Sequence, residues 1–78
     1  MKVEVVVRLK GEVLDSQGKA IHHALKALGY HEVQEVNVGK VIVLEIASDN
    51  KEEVQNQVKL MCETLLVNMV IEDYQIKL

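Results

Sequence analysis

The sequence contains no proline, phenylalanine or tryptophan, and it has one cysteine and two tyrosines in 78 residues. Without proline, the turns depend on four glycines and on aspartate and asparagine. The single cysteine, Cys62, has no partner for an internal disulfide, which suits a reducing compartment. Because Tyr30 and Tyr74 are the only aromatic side chains, the chain offers no platform on which nucleic-acid bases stack.

The charge and the apolar runs exclude further classes of protein. A net charge of -3 argues against nucleic acid as the main partner, because phosphate binding needs a basic face. The longest clean apolar run, VIVL, is far too short to span a bilayer, and the opening MKVEVVVRLK lacks the long apolar stretch of a signal peptide. We therefore expect a cytoplasmic protein with a single domain over residues 1–78. Small domains without disulfides or metals often gain stability by associating, so we also expect an oligomer.

The first half of the chain changes from a strand pattern to a helix pattern. Alternation predicts a first strand with one buried face, and its apolar positions are Val3, Val5, Val7 and Leu9. An apolar stripe at helical spacing follows, at Ile21, Ala24, Leu25 and Leu28. Asp15 or Ser16 is expected to cap the start of this helix, and Gly29 is expected to end it in a left-handed conformation.

The second half repeats the change of period. Val36 and Val38 alternate with polar residues, and Gly39 and Lys40 are predicted to form a two-residue hairpin turn. The strand after that turn would point Ile42, Leu44 and Ile46 to the core and Val41, Val43 and Glu45 away from it. A second helix is capped by Asp49 or Asn50, with Glu52 or Glu53 completing a capping box. Its stripe comprises Val54, Val58, Met61, Cys62 and Leu65. A last strand carries Val70, Tyr74, Ile76 and Leu78 on one side.

This order predicts an α+β, ferredoxin-like βαββαβ two-layer sandwich. Its four-stranded antiparallel sheet would have both helices on one face, and the other face would stay open. That open face is more apolar than a solvated face requires, and we predict an oligomer interface at Val6, Val41, Val43 and Ile71. The alternative is ordinary strand propensity, because valine suits strands even where it is exposed.

The residues with reactive side chains do not combine into a site. Ser16 and Lys19 have the S-x-x-K spacing of some acyl-transfer enzymes, but a short motif at a helix start is more often a cap. His22 and His23 are sequence neighbours, which point about 100° apart on a helix and cannot easily grip one metal. Cys62 lies on an apolar stripe, where cysteine acts as a small hydrophobe. We predict no catalytic, cofactor-binding or metal site.

Several stretches together resemble the PurS family, the small subunit of phosphoribosylformylglycinamidine synthase in purine biosynthesis. The matching segments are VLD and QG at the start of the first helix, ALGY at its end, VGK at the predicted hairpin, and MCETLLVNMVIEDYQI near the end of the chain. The resemblance covers nearly the whole chain in order and spacing. Ser16 and Met69 stand where the family usually has proline, and these departures affect chain stiffness.

The resemblance implies an accessory role. The large synthetase subunit of that enzyme uses ATP and Mg, a glutaminase subunit supplies ammonia, and the small subunit is expected to bind no cofactor itself. It would form a homodimer, alone or as a pair of dimers, that bridges the other two subunits and supports ammonia transfer. Five positions are predicted to contact these partners, although helix capping, backbone geometry or a solvated charge also accounts for each: Asp15, Gln17, Gly18, Gly39 and Lys40.

Two other functions remain open at this stage. Regulatory domains of the ACT kind share the predicted fold and bind small metabolites, but this chain has only Gly11 and Gly18 where a glycine-rich loop would favour that function. A small hydrolase that uses Ser16 or His22 would need an enclosed pocket, which a domain of this size hardly provides.

Overall fold

A computed structural model describes residues 1–78 and contains three strands and two α-helices. In chain order the elements are β1 (Lys2–Leu9), α1 (Ser16–Ala27), β2 (Gly39–Glu45), α2 (Lys51–Met61), a π-helical turn (Cys62–Leu66) and β3 (Glu72–Lys77). The strands form one antiparallel sheet with β1 in the centre, in the order β2-β1-β3. Neither helix is long and apolar enough to cross a membrane.

One apolar face of this sheet and one side of α2 form the core. The alternating valines of β1 point to α2, and the stripe of α2 meets them. The buried residues are Val3, Val5, Val7, Val54, Val58, Cys62 and Val67. Ile42, Leu44, Ile46, Tyr74 and Ile76 pack against this core and stay partly exposed, on the faces that alternation predicts. We call the sheet, α2 and the π-helical turn the body.

The helix ends follow their sequence signals. Asp15 caps α1 by accepting from the backbone N–H of Gly18, and Asn50 caps α2 by accepting from Glu53 N–H at 3.1 Å. Gly29 adopts φ 101° after α1, and the next N–H, of Tyr30, donates to the Leu25 carbonyl at 3.0 Å. These contacts form a Schellman motif, the helix end that a glycine at position 29 predicts. The capping box of α2 is only half formed, because Asn50 N–H donates to Ser48 Oγ.

The predicted four-stranded sheet is wrong, because the hairpin at Gly39 and Lys40 does not form. A two-residue turn of the favoured primed types needs positive φ, and only Gly29 has it in this chain. Gly39 and Lys40 instead belong to β2, opposite Arg8 and Val7 of β1. Residues 33–38 lead into β2 without a turn and pair with no strand. The sheet therefore has three strands.

The prediction that both helices cover one sheet face is also wrong. α2 packs on the sheet, whereas α1 lies alongside residues 33–38 and beyond the strands. The molecule is accordingly long, with extents of 48 × 24 × 14 Å. We call residues 16–38 the arm. Its only buried residue is Gly18, and Leu28 of the predicted core stripe is 74% exposed.

The π-helical turn corrects the predicted stripe of α2. In a continuous α-helix Leu65 would lie seven residues after Val58 and on the same side. The wider turn at Cys62–Leu66 shifts this register, so that Leu66 is half-buried and Val67 is 5% exposed. Leu65 is consequently 83% exposed, against the sequence prediction. Val70, predicted on the inner side of the last strand, lies before β3 and is 81% exposed.

Candidate interaction surfaces

The Asp15 carboxylate joins the start of α1 to the chain entering β2. Its Oδ1 accepts from Gly18 N–H at 2.8 Å, and its Oδ2 accepts from Val38 N–H at 2.8 Å. These hydrogen bonds, first the one from Val38 and then the one from Gly18, lower the pKa of Asp15 below its ordinary 3.8, because they favour the charged form. Asp15 therefore has a structural role whether or not it also contacts a partner.

Two further contacts hold the arm together at the same place. A Cβ at Gly18 would collide with the Val36 carbonyl oxygen, so that only glycine allows α1 this close to residues 33–38. One turn later, His22 Nε2 lies 2.7 Å from the Val33 carbonyl oxygen. A carbonyl oxygen only accepts, so this nitrogen carries the proton and donates it. The close approach of the two backbones accounts for glycine at position 18. The His22 hydrogen bond holds α1 against residues 33–38.

The other predicted contact positions lie near this junction but do not form one cluster with it. Gln17 is exposed on α1, next to the cap. Gly39 follows Val38, and a Cβ there would lie 2.5 Å from the Val7 carbonyl oxygen. Lys40 turns away toward β3, where its Nζ lies 3.9 Å from Glu72 Oε2.

The open face of the sheet brings three of its four predicted interface residues together. Val6 of β1 is the register partner of Val41 of β2, and Val41 and Val43 are 53% and 56% exposed. Ile71 lies four residues before Gln75, which faces Val6 from the other side. At about 3.3 Å per residue, Ile71 is roughly 13 Å along the sheet from Val6 and Val41, and Val43 is further away still. The valine cluster is a small apolar patch that Ile71 does not join.

The sequence pattern does not predict two apolar surfaces that the structure leaves uncovered. The first is the stripe of α1, at Ile21, Leu25 and Leu28, whose helical period predicts burial but which is only partly covered. The second is the connection from α2 to β3, which presents Leu65, Met69 and Val70. Asn68 and Glu72 fix this connection, since Asn68 N–H donates to Glu72 Oε1 at 2.8 Å and Glu72 N–H donates to the Asn68 carbonyl at 2.7 Å. A fixed loop holds its apolar side chains ready for contact.

The reactive side chains remain apart. Ser16 and Lys19 are exposed at the start of α1. Lys19 lines an open polar cleft of about 400 Å³ together with Glu12, Glu35 and Asn37, and Ser16 does not. No group of three or more histidine, cysteine or acidic side chains is placed to hold a metal ion. Cys62 is fully buried, as predicted; burial raises the pKa of its thiol, and the charge of Glu63 raises it further. Its thiol is therefore held in the unreactive form.

The fold and these surfaces define a small α+β protein with several uncovered apolar areas. The family model described as phosphoribosylformylglycinamidine (FGAM) synthase, PurS, matches residues 2–78. The curated PurS subunit of this synthase from Bacillus subtilis is 50% identical over 74 residues, which are 95% of this chain and 87% of that protein. The chain belongs to the PurS family of subunits of FGAM synthase, the purine-biosynthesis enzyme that its sequence indicated.

Solved structures agree with this assignment. PurS from Methanocaldococcus jannaschii matches with a TM-score of 0.87 and 43% identity, over 97% of this chain and 92% of that one. A chain in the structure of PurLQS from Thermotoga maritima matches with a TM-score of 0.89 and 36% identity, over 97% of this chain and 93% of that one. Both comparisons cover 97% of this chain, so they include the arm as well as the body.

Proposed function

We propose that this chain is a bridging subunit of FGAM synthase, which contacts the large synthetase subunit and the glutaminase subunit and supports ammonia transfer between them. The observation that carries the proposal is its family membership together with its likeness to a chain in the PurLQS structure from Thermotoga maritima. The exposed apolar surfaces support a role in contact rather than in chemistry.

A bridging subunit needs more than one surface for its partners. The α2–β3 connection presents Leu65 and Val70 on a fixed loop, at 83% and 81% exposure. The apolar stripe of α1 presents a second surface, and the start of α1 presents a third, where Gln17 is exposed beside the Asp15 cap and the buried Gly18. This separation supports simultaneous contact with different chains. The proposed contacts at Gly39 and Lys40 lie where the arm meets the sheet.

The homodimer is part of the same proposal. The body buries seven apolar residues, a small core for a chain of 78 residues. The stripe of α1 is only partly covered within its own chain, since Ile21 is 39% and Leu28 74% exposed, although its spacing is that of a helix with one buried side. Association with a second copy would remove this apolar surface from water. We propose that the protein works as such a homodimer, or as a pair of them.

The chemistry is assigned to the partner subunits. ATP and Mg are proposed to bind to the large subunit, and this chain would bind neither. Reaction in the cytoplasm fits a protein whose single cysteine is a buried thiol.

Reconstitution tests the bridging role. The chain is mixed with the large and glutaminase subunits, and ATP, Mg, glutamine and formylglycinamide ribonucleotide are supplied. Product formation and co-elution of all three proteins are expected only when this chain is present. Full glutamine-dependent activity without it would contradict the proposal. A metabolite-binding regulatory domain would instead show a small-molecule ligand of the isolated chain by calorimetry and would add nothing to the reconstituted activity.

A further inference from the structure

The open face of the sheet carries a regular grid of side chains. The even-numbered residues of β1 point to this face, because the odd-numbered valines of the strand are buried on the other. The strand register places a residue of β2 and a residue of β3 beside them. Three successive rows result, each written in the order β2, β1, β3: Gly39, Arg8 and Asp73; Val41, Val6 and Gln75; Val43, Glu4 and Lys77.

The charges on this face change sign from the first row to the third. Arg8 is positive and Asp73 is negative in the first row. Glu4 is negative and Lys77 is positive in the third row, and the middle row carries no charge. None of these four side chains takes part in an ion pair within the chain. Their charges are therefore free to pair with those of another molecule.

One twofold arrangement of two such faces brings each charge opposite a charge of the other sign. When the axis runs between the two sheets and across their strands at the middle row, the first row of one copy covers the third row of the other. Arg8 then faces Glu4 of the second copy, and Asp73 faces Lys77 of the second copy. An axis along β1 would instead place Arg8 over Arg8 and Glu4 over Glu4, where like charges repel. The charge pattern thus selects the axis across the strands.

The centre of this arrangement is apolar. Val6 lies on the axis and meets Val6 of the second copy, and Val41 meets its own equivalent beside it. Val43, which is 56% exposed in the single chain, covers Gly39 of the second copy, where the missing side chain leaves room. Two sheets with aligned strands pack at a distance of about 10 Å, which aliphatic side chains of this size fill.

We infer that the open faces of two copies pack on each other about this axis and so join homodimers in pairs. The inference rests on the homodimer of the proposed function and supplies the second contact that a pair of dimers needs. Three strands at about 4.8 Å and six residues at about 3.3 Å give a footprint of roughly 300 Å² on each copy. A standard stable interface covers roughly 800 Å² on each partner. The open-face contact is accordingly weak, and it adds to the dimer without replacing it.

Charge reversal in single and mixed samples tests the pairing. Arg8→Glu sets carboxylates against each other at both ends of the contact, and Glu4→Arg sets guanidinium groups against each other there. Each variant alone is expected to form pairs of dimers at least about tenfold more weakly than the wild type in sedimentation equilibrium. An equimolar mixture of the two variants has opposite charges at both ends again and is expected to recover the wild-type affinity.

Lys2→Glu is the matched control. Lys2 lies on the same face but outside the three rows, and its register partner is Glu45, as Asp73 is that of Arg8. Lys2→Glu and Arg8→Glu therefore each place two acidic side chains side by side within one sheet. Pairing of dimers is expected to stay unchanged in Lys2→Glu. Equal weakening in the two variants would assign the effect to the sheet itself and would overturn the inference.

A second set of variants serves if Arg8→Glu or Glu4→Arg loses its fold by circular dichroism. Asp73→Lys and Lys77→Asp reverse the charges on the exposed edge strand β3 and are expected to give the same result. Each should weaken pairing alone, and the mixture should restore it.

The remaining outcomes overturn the inference in recognisable ways. A mixture that fails to pair, while the wild type pairs, would reject this axis. A wild-type protein that stays a dimer at every concentration would reject the open-face contact and keep the homodimer. A wild-type chain that stays monomeric would reject both, and reconstitution would then test the bridging role alone. Reduced co-elution of another subunit with Arg8→Glu, which Glu4→Arg does not restore, would assign the face to that subunit instead.

Discussion

The body and the arm each contain one amphipathic helix of similar length, but the apolar stripe is buried in the body and largely exposed in the arm. Val54 and Val58 of α2 are fully buried against β1, whereas Leu28, at the C-cap of α1, is 74% exposed. The body is held by buried aliphatic side chains, and the arm is held by hydrogen bonds at Asp15 and His22. Hydrophobic periodicity thus predicts a helix, but it does not say which chain will cover it.

The largest difference is expected when a charge enters each helix stripe. Val58→Asp would bury an unpaired carboxylate in a fully closed core, and we expect a loss of more than about 4 kcal/mol in the free energy of unfolding. A small domain has little more than that, so the variant should show no cooperative thermal transition by circular dichroism. A cooperative transition within a few degrees of the wild type would contradict the assignment of the core to the body.

Leu28→Asp is the matched change in the arm. Because the side chain is exposed in the single chain, the body is expected to keep its fold and its strand content. Self-association should weaken at least tenfold in sedimentation equilibrium, since the charge disrupts the stripe that we propose a second copy covers. His23→Asp, on the opposite and exposed side of α1, is the control and should leave association unchanged. Equal weakening in both variants would show that charge alone is responsible.

A smaller, local effect is expected from Gly18→Ala. The added methyl group would clash with the Val36 carbonyl oxygen, a backbone atom that can shift only if the arm moves with it. We expect a cost of about 1–3 kcal/mol, confined to the arm. Amide exchange should quicken at Val38 and Tyr30 and stay unchanged in β1. Gly11→Ala is the control, because a Cβ at Gly11 has nothing within 4 Å. Unaltered exchange in the arm of Gly18→Ala would contradict the close approach.

The arm should also be more sensitive to acid than the body. The hydrogen bonds from Val38 and Gly18 lower the pKa of Asp15, so its carboxylate contributes stability that is complete above the ordinary pKa of 3.8. That contribution is lost as the pH falls through the lowered pKa of the folded chain. Amide chemical shifts of Val38 should therefore titrate below pH 3.8. Asp15→Asn keeps an oxygen acceptor without a charge and should abolish this titration, and a persistent titration would point to another group.

The local signals of the sequence predicted most of the elements correctly. Alternation located β1, and Gly29 and Asn50 marked helix ends that the structure contains. These features depend on a few neighbouring residues, which the sequence displays directly. The inner side of the strand at Ile42 and Leu44 was also predicted, because alternation fixes which residues share a face.

Most errors concern contacts between distant residues, and one concerns a local shift of helix register. Gly39 and Lys40 look like a hairpin turn, but the Asp15 carboxylate accepts from Val38 N–H across 23 positions and Gly39 pairs with β1. No local pattern predicts that these long-range contacts form in place of the turn. Leu65 was misplaced because one π-helical turn shifts a register that the sequence displays as regular. The structural roles of Gly18 and His22 likewise need the position of residues 33–38, which only the folded chain provides.

The smallest effect on stability is expected at Lys40, which makes it the cleanest probe of partner contact. Its ion pair with Glu72 spans 3.9 Å and its side chain is 55% exposed, so Lys40→Ala should cost less than about 0.5 kcal/mol. If Lys40 contacts a partner, glutamine-dependent activity of the reconstituted enzyme should fall more than ammonia-dependent activity, because only the former needs ammonia transfer. Lys77→Ala, an exposed lysine at the end of β3, is the control. An equal fall in both activities would mean that Lys40 serves assembly without coupling ammonia transfer, and unchanged activities would leave its pairing with Glu72 as its only role.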